Sequence, residues 1–193
     1  MARKKNFDEG EVLEKALHLF WEKGYNATSV QDLVDHLGVN RASIYDTWGD
    51  KHGLYLETLK RYRQHTASNM LQRLRSEKSA AAIVREFLFD IVKDSVQDNR
   101  AKGCFMSNSA TEMANCDQTV HSIFTDNRLK MEAVLNELIK EGQDAGEFAK
   151  NFPSEALARF VFNNAGGLRI LAKGTISEKE LNEVVDVTLS ALV

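Results

Sequence analysis

At 193 residues, with 43% hydrophobic and 27% charged side chains, the chain is long enough to bury the core of one or two closely packed domains. No apolar run approaches the 18 or so residues of a membrane helix, and the start MARKKNFDEG lacks the apolar stretch of a secretory signal. Two cysteines do not make a disulfide framework, so a cytoplasmic location is expected, and a net charge of −3 provides no general attraction to nucleic acid.

Arg3, Lys4 and Lys5 form a short basic arm that suits either phosphate contact or a solvated terminus. Asp8 and Glu11 then read as a helix start, followed by the stripe Val12, Ala16, Leu19 and Phe20. Gly24 ends this first helix, whose expected task is to pack against the next two.

Between Gly24 and Lys51 the pattern predicts two short helices joined by a tight turn. In the T-x-x-Q segment, Thr28 is placed to cap the amide of residue 31 while Gln31 reaches back. Val30, Leu33, Val34 and Leu37 make one apolar stripe, and Gly38 suits the left-handed conformation that ends a helix. Asn40 caps the next helix, from about Arg41 to Thr47; Gly49 breaks it and Asp50 caps the one after.

The second of these helices has little to bury. Ile44 and Trp48 can face inward, leaving Arg41, Ala42, Ser43 and Tyr45 outward near its N-terminus. Arginine pairs bidentately with guanine, alanine touches a thymine methyl, and serine or tyrosine hydroxyls bond phosphates. That is the layout of a helix-turn-helix, in which one helix enters the major groove and the other braces it. A plain αα-hairpin with solvated polar residues fits the same pattern. Residues 1–51 carry seven Lys and Arg against nine acids, so a DNA face must rest on where Arg41, Lys51 and the arm sit.

A fourth helix is expected from about Asp50 to Arg75, along Leu59, Tyr62, Met70, Leu71 and Leu74. Lys51 near its start is a candidate phosphate contact, assisted by helix-terminal amides. From Ser79 onward the chain reads as helix after helix. Val84, Phe87, Leu88, Ile91 and Val92 mark one; a short helix falls within Gly103–Ala114; Val120 to Leu138 marks a long one. Pro153 opens the next, running to about Lys173, and the Ser177/Glu180 capping box opens the last. The expected fold is all-α, with about nine helices.

The segment Lys102–Ala114 combines Cys104, Met106, Asn108 and Glu112, as an apolar cavity with few polar groups requires. Phe87, Phe124, Met131, Phe160 and Asn164 are further cavity candidates, and ordinary core packing is the other reading for all of them. Cys104, after Gly103 and near Lys102, also allows a thiol-based sensor of oxidants or electrophiles. A Cys104–Cys116 bridge is not expected, since helical spacing would hold the two Cα atoms roughly 18 Å apart. There is no P-loop, dinucleotide fingerprint, nucleophile elbow or H-E-x-x-H, and the five histidines lack metal-site spacing. Neither an enzyme nor a metal or cofactor is expected. A helical protein-interaction module without DNA binding is the remaining alternative.

The helix-turn-helix segment resembles the DNA-binding domain of the TetR (tetracycline repressor) family of bacterial transcription regulators. The resemblance rests on Gly24, Thr28, Ser29, Val30 and Leu33, then Gly38, Val39, Asn40, Ile44 and Tyr45, then Trp48 and Lys51. That family usually has Phe where Trp48 stands, and often Ser-Lys-Gly where Asn40-Arg41-Ala42 stands. The second change falls on the base-reading surface, so no operator sequence carries over.

The resemblance implies a DNA-binding domain at residues 1–50, with the helix-turn-helix at about 28–48. Residues 51–193 would then bind ligand and dimerise. DNA contacts are expected from Thr28, Ser29, Asn40, Arg41, Ala42, Ser43, Tyr45, Trp48 and Lys51. The last two long helices would pair with their twins through Ala158, Phe162, Ala165, Gly166 and Arg169, with Val185 and Leu189. The implied protein is a homodimeric repressor, released from a palindromic double-stranded operator by a small-molecule effector of unknown identity, with no membrane partner.

Overall fold

The computed structural model describes residues 7–74, 78–97 and 102–193. The basic arm Arg3, Lys4 and Lys5 lies outside the described residues. Among those described are nine helices and no strand: α1 (Glu9–Lys23), α2 (Val30–Leu37), α3 (Arg41–Trp48), α4 (Lys51–Leu74), α5 (Ala80–Gln97), α6 (Phe105–Met113), α7 (Gln118–Asp144), α8 (Ser154–Leu171) and α9 (Glu178–Ser190). No described helix is long and apolar enough to cross a membrane.

Helix boundaries follow side-chain chemistry. Asp8 accepts the Glu11 amide at 2.9 Å to start α1. Asp50 accepts the Gly53 amide at 2.7 Å at the head of α4. A full capping box, Ser177 with Glu180, starts α9, and the Ser177 bonds hold the Glu180 carboxyl below its usual range. Gly38 ends α2 in the left-handed region at φ 69°. Pro153 stands one residue outside α8, at its N-cap.

The chain divides into two compact units. One contains residues up to Thr66 together with Phe105–Phe124; the other contains Ala67–Cys104 and Thr125–Val193. In the first unit α1 packs on α2 and α2 on α3. Its core holds Ala16, Leu17, Phe20, Leu33, Leu37, Ile44, Leu54 and Leu59 from α1–α4, with Phe105 and Met106 from α6. Each fully buried Leu, Ile, Phe or Met side chain among these stabilises by about 1.5–3 kcal/mol.

Aromatic rings fill the middle of that core. Tyr55 meets Phe20 edge-on at 5.1 Å and Phe105 at 5.9 Å between centroids, while Tyr62 meets Trp21 at 5.2 Å and Phe105 at 5.8 Å. Phe105 thus anchors α6 among rings from α1 and α4. Burial pushes the Tyr55 hydroxyl up to about 12.

In the second unit α5 packs against both α8 and α9, and α8 packs against α9. Val84, Leu88, Leu135, Ile139, Val161, Leu168, Val185 and Leu192 are among its most deeply buried members. Gly142 is needed here, because a Cβ at that position would lie 2.4 Å from the Phe148 ring.

Candidate nucleic-acid interface

The candidate DNA-facing surface is built outward from α2. The expected cap at Thr28 is displaced by one residue. Ser29 is the N-cap, its hydroxyl accepting the Asp32 amide at 3.0 Å while Asp32 accepts the Ser29 amide at 2.8 Å. A carboxylate outcompetes the Gln31 amide as acceptor, and Gln31 instead donates to Asp35 at 2.8 Å. Thr28 is fully buried, its hydroxyl donating to the Gly24 carbonyl at 2.6 Å. Its side chain is thus withdrawn from the surface on which it was expected.

Lys23 ties α1 to α2 through Asp32 at 2.7 Å. The bonds from Lys23 and Ser29 hold the Asp32 carboxyl far below its ordinary range. The α2–α3 turn closes with Gly38 and with Asn40, whose Oδ1 accepts the Ser43 amide at 2.8 Å as expected. That bond occupies Asn40 with the helix start.

Ile44, wholly buried, anchors α3. Ser43 and Trp48 are half-buried, with Trp48 6.3 Å from the Phe7 ring. The outward face carries Arg41, Ala42, Tyr45 and Asp46, at i, i+1, i+4 and i+5. Asp46 was missing from the sequence-based set, although its spacing from Arg41 and Ala42 marked it. A carboxylate there repels phosphate but can accept from a cytosine amino group. The face thus combines a cation, a methyl, a phenol and an acceptor on a helix with a free outer side.

Lys51, expected on phosphate, is turned toward the α1–α2 turn. Its ammonium donates to the carbonyls of Tyr25 and Thr28, both at 2.9 Å, and sits 4.1 Å from the Tyr25 ring centroid. Two of its three N–H donors are spent on the α1–α2 turn. On the other side of that turn the Glu112 carboxylate accepts the amides of Tyr25 at 3.0 Å and Asn26 at 2.7 Å.

Residues 12–58 match the family described as "Bacterial regulatory proteins, tetR family", and residues 82–188 match "Tetracyclin repressor-like, C-terminal domain". The second match alone covers more than half of the chain. The chain belongs to the TetR family. Among its TetR-type relatives is the HTH-type transcriptional regulator YezE of Bacillus subtilis, 34% identical over 100% of both chains. The HTH-type transcriptional repressor ComR of Escherichia coli is 28% identical over 97% of this chain and 90% of its own. A solved structure of the TetR family regulator CifR, cysteine-substituted and complexed with a 26-base-pair double-strand operator DNA, superposes with a TM-score of 0.87. It is 25% identical and covers 100% of both chains. The protein is a helix-turn-helix, DNA-binding transcriptional regulator of this family, and these relatives are regulators rather than enzymes.

The residues expected to line a TetR-type effector cavity fall in both units. Met106, Asn108, Glu112 and Phe124 belong to the first, and Phe87, Cys104, Met131 and Asn164 to the second. Glu112 accepts two backbone amides of the α1–α2 turn. Met106 is buried in the first core; Phe87 and Met131 are buried in the second. Asn164 donates to the Phe160 carbonyl of its own helix at 2.8 Å. Neither Cys104 nor Cys116 is in a disulfide. Among the described residues no group of His, Cys, Asp or Glu converges to hold a metal.

The expected TetR-type dimer residues divide as well. Ala158, Ala165 and Val185 are at most 1% exposed and belong to the core of their own unit, so they present no surface to a partner. Phe162 and Leu189 pack partly against that same core, and Arg169 is half-buried. The open face of these helices carries other apolar groups: Phe160 and Ile170 on α8, and Val187 on α9. The small-residue stripe on α8 lets the helix approach α5 and α9 closely within one chain.

Proposed function

We propose that this regulator is a homodimeric repressor released from a palindromic operator by a small-molecule effector. Its setting would be the cytoplasm. The observation that carries the reading is the outward face of α3, where Arg41, Ala42, Tyr45 and Asp46 stand clear of the core. Two such faces related by a two-fold axis would meet successive major grooves about 34–36 Å apart, or a multiple of that spacing. The operator complex of CifR and the repressor ComR support this assignment.

Residues 1–50 would supply the DNA contacts, from Ser29, Asn40, Arg41, Ala42, Ser43, Tyr45 and Trp48, with Asp46 added. Residues 51–193 would bind the effector and the second copy. Phe160, Ile170 and Val187, exposed at 41%, 64% and 69%, form the apolar face offered to that copy. An effector shifts operator affinity only if it binds the DNA-competent and released states unequally.

The test is a binding titration against DNA from upstream of the protein's own coding region, with a scrambled duplex as control, at two salt concentrations. Tight binding to the first duplex alone, weakening with salt, is the expected result. Equal weak binding to both duplexes would remove that region as the operator, and no binding at low salt would remove the DNA-binding function.

A further inference from the structure

The α1–α2 turn is gripped from both sides by opposite charges. At Tyr25 the N–H is held by Glu112 of α6 at 3.0 Å and the C=O by Lys51 of α4 at 2.9 Å. Glu112 takes the next amide too, Asn26 at 2.7 Å, and Lys51 takes the Thr28 carbonyl at 2.9 Å. The carboxylate lies so close to the turn that a Cβ on Gly24 would stand 3.0 Å from its Oε2. Gly24 has φ 85°, a conformation in which an L side chain is strained in any case.

Two further contacts bind the same region. The Asn26 amide group reaches the Met113 sulfur at 3.8 Å, and Asp117 lies 3.2 Å from His52. The short stretch from Tyr25 to Thr28 is thus fixed by groups from α4 and α6, with the start of α7 tied to α4 beside it. The next residue, Ser29, is the cap from which α2 starts, and α2 carries α3 through the Gly38 turn.

Two ionic hydrogen bonds to successive backbone amides set a direction as well as a distance, because both N–H vectors must converge on one carboxylate. We infer that Glu112 is a positioning residue for DNA reading. By orienting the α1–α2 turn, it sets the tilt at which α2 presents α3 to the major groove. No contact of Glu112 with DNA is involved. The inference rests on the DNA-reading function proposed above and adds a determinant of specificity outside the helix-turn-helix.

The test uses the full chain and a duplex selected by the wild-type protein from a randomised library, with its scrambled counterpart. Glu112→Ala removes both acceptors; Glu112→Gln keeps the size and one acceptor oxygen. Thermal unfolding, affinity for both duplexes, and hydrogen exchange at the Tyr25 and Asn26 amides are measured for each. A merely structural residue would lower the midpoint and weaken both duplexes together. A positioning residue changes their ratio.

The expected result is faster exchange at Tyr25 and Asn26, with a loss of roughly tenfold in discrimination for Glu112→Ala and an intermediate loss for Glu112→Gln. Wild-type discrimination in the folded Gln variant overturns the inference, even if the Ala variant does not fold. If the wild-type protein enriches no sequence at all, the DNA-reading function itself fails, and the inference with it.

Discussion

The ammonium of Lys51 lies 4.1 Å from the centre of the Tyr25 ring and donates to the carbonyl of the same residue at 2.9 Å. The cation therefore joins the start of α4 to the α1–α2 turn, across 26 residues of chain. Hydrogen bonds from a charged donor each contribute about 1.5–3 kcal/mol, and leaving their acceptors unpaired adds a penalty.

Lys51→Ala is therefore expected to destabilise the DNA-binding unit by about 1.5–3 kcal/mol. Urea unfolding monitored by the fluorescence of Trp21 and Trp48 would measure it. Unchanged stability, with uniformly weaker DNA binding and a salt slope reduced by about one, would show instead that Lys51 serves phosphate.

Arg41 and Tyr45 are exposed on α3 and stand outside the core, so their substitution should leave stability within about 0.5 kcal/mol. Arg41→Ala is expected to relax preference at one operator position, at a cost of about 1–3 kcal/mol in discrimination. Tyr45→Phe should weaken all duplexes alike, as the loss of a phosphate-bonding hydroxyl would. A base-substitution scan of the operator with both variants separates the two effects. An unchanged Arg41→Ala profile would remove that side chain from base reading.

The Ser29–Asp32 cap gives a pH dependence of known sign. The folded state holds the Asp32 carboxyl below its unfolded value, chiefly through the bond from Lys23 and then those from Ser29. The unfolded state thus binds the proton more readily. The stabilisation is complete above the unfolded value near 4 and is lost as pH falls below it toward the folded value. Asp32→Asn should therefore be less stable than wild type at pH 6, with the gap narrowing as pH falls through about 4 to 2.5. Urea midpoints across that range would check it, and a constant gap would mean that the carboxylate charge is not what the cap uses.

On α8, Ile170 is 64% exposed while Ala165 is 1% exposed. Ile170→Glu should dissociate the dimer and leave a folded monomer, seen by sedimentation and circular dichroism. Ala165→Glu should unfold the chain, since it buries an unpaired charge in a full core. A dimer that survives both Ile170→Glu and Phe160→Glu would place the interface elsewhere.

Among the described residues, the order of the helices, the αα turn at Gly38 and the Asn40 cap were legible from residues a few positions apart, and so was the outward placement of Arg41, Ala42 and Tyr45, though Ser43, expected beside them, is half-buried. Other sites were ambiguous within the same short range. The segment Thr28 to Asp32 holds two overlapping capping patterns, and the choice of Ser29 turns on Thr28 being buried, its hydroxyl bonded to the Gly24 carbonyl. The stripe Ala158–Ala165 on α8 announces close packing without saying whether the neighbour is the same chain or another copy.

What the sequence by itself determined is the local grammar of this regulator: where helices begin and end, and which faces are apolar. Capping and 3.6-residue periodicity act between neighbours in the chain, so they can be read without a fold. Only the tertiary structure decided how the charged groups are used. Glu112 meets Tyr25 across 87 residues, and Lys51 turns inward rather than out, because both partners are backbone groups of a turn whose position depends on how α1, α4 and α6 pack. No pattern in the side chains of one segment encodes a hydrogen bond to the backbone of another.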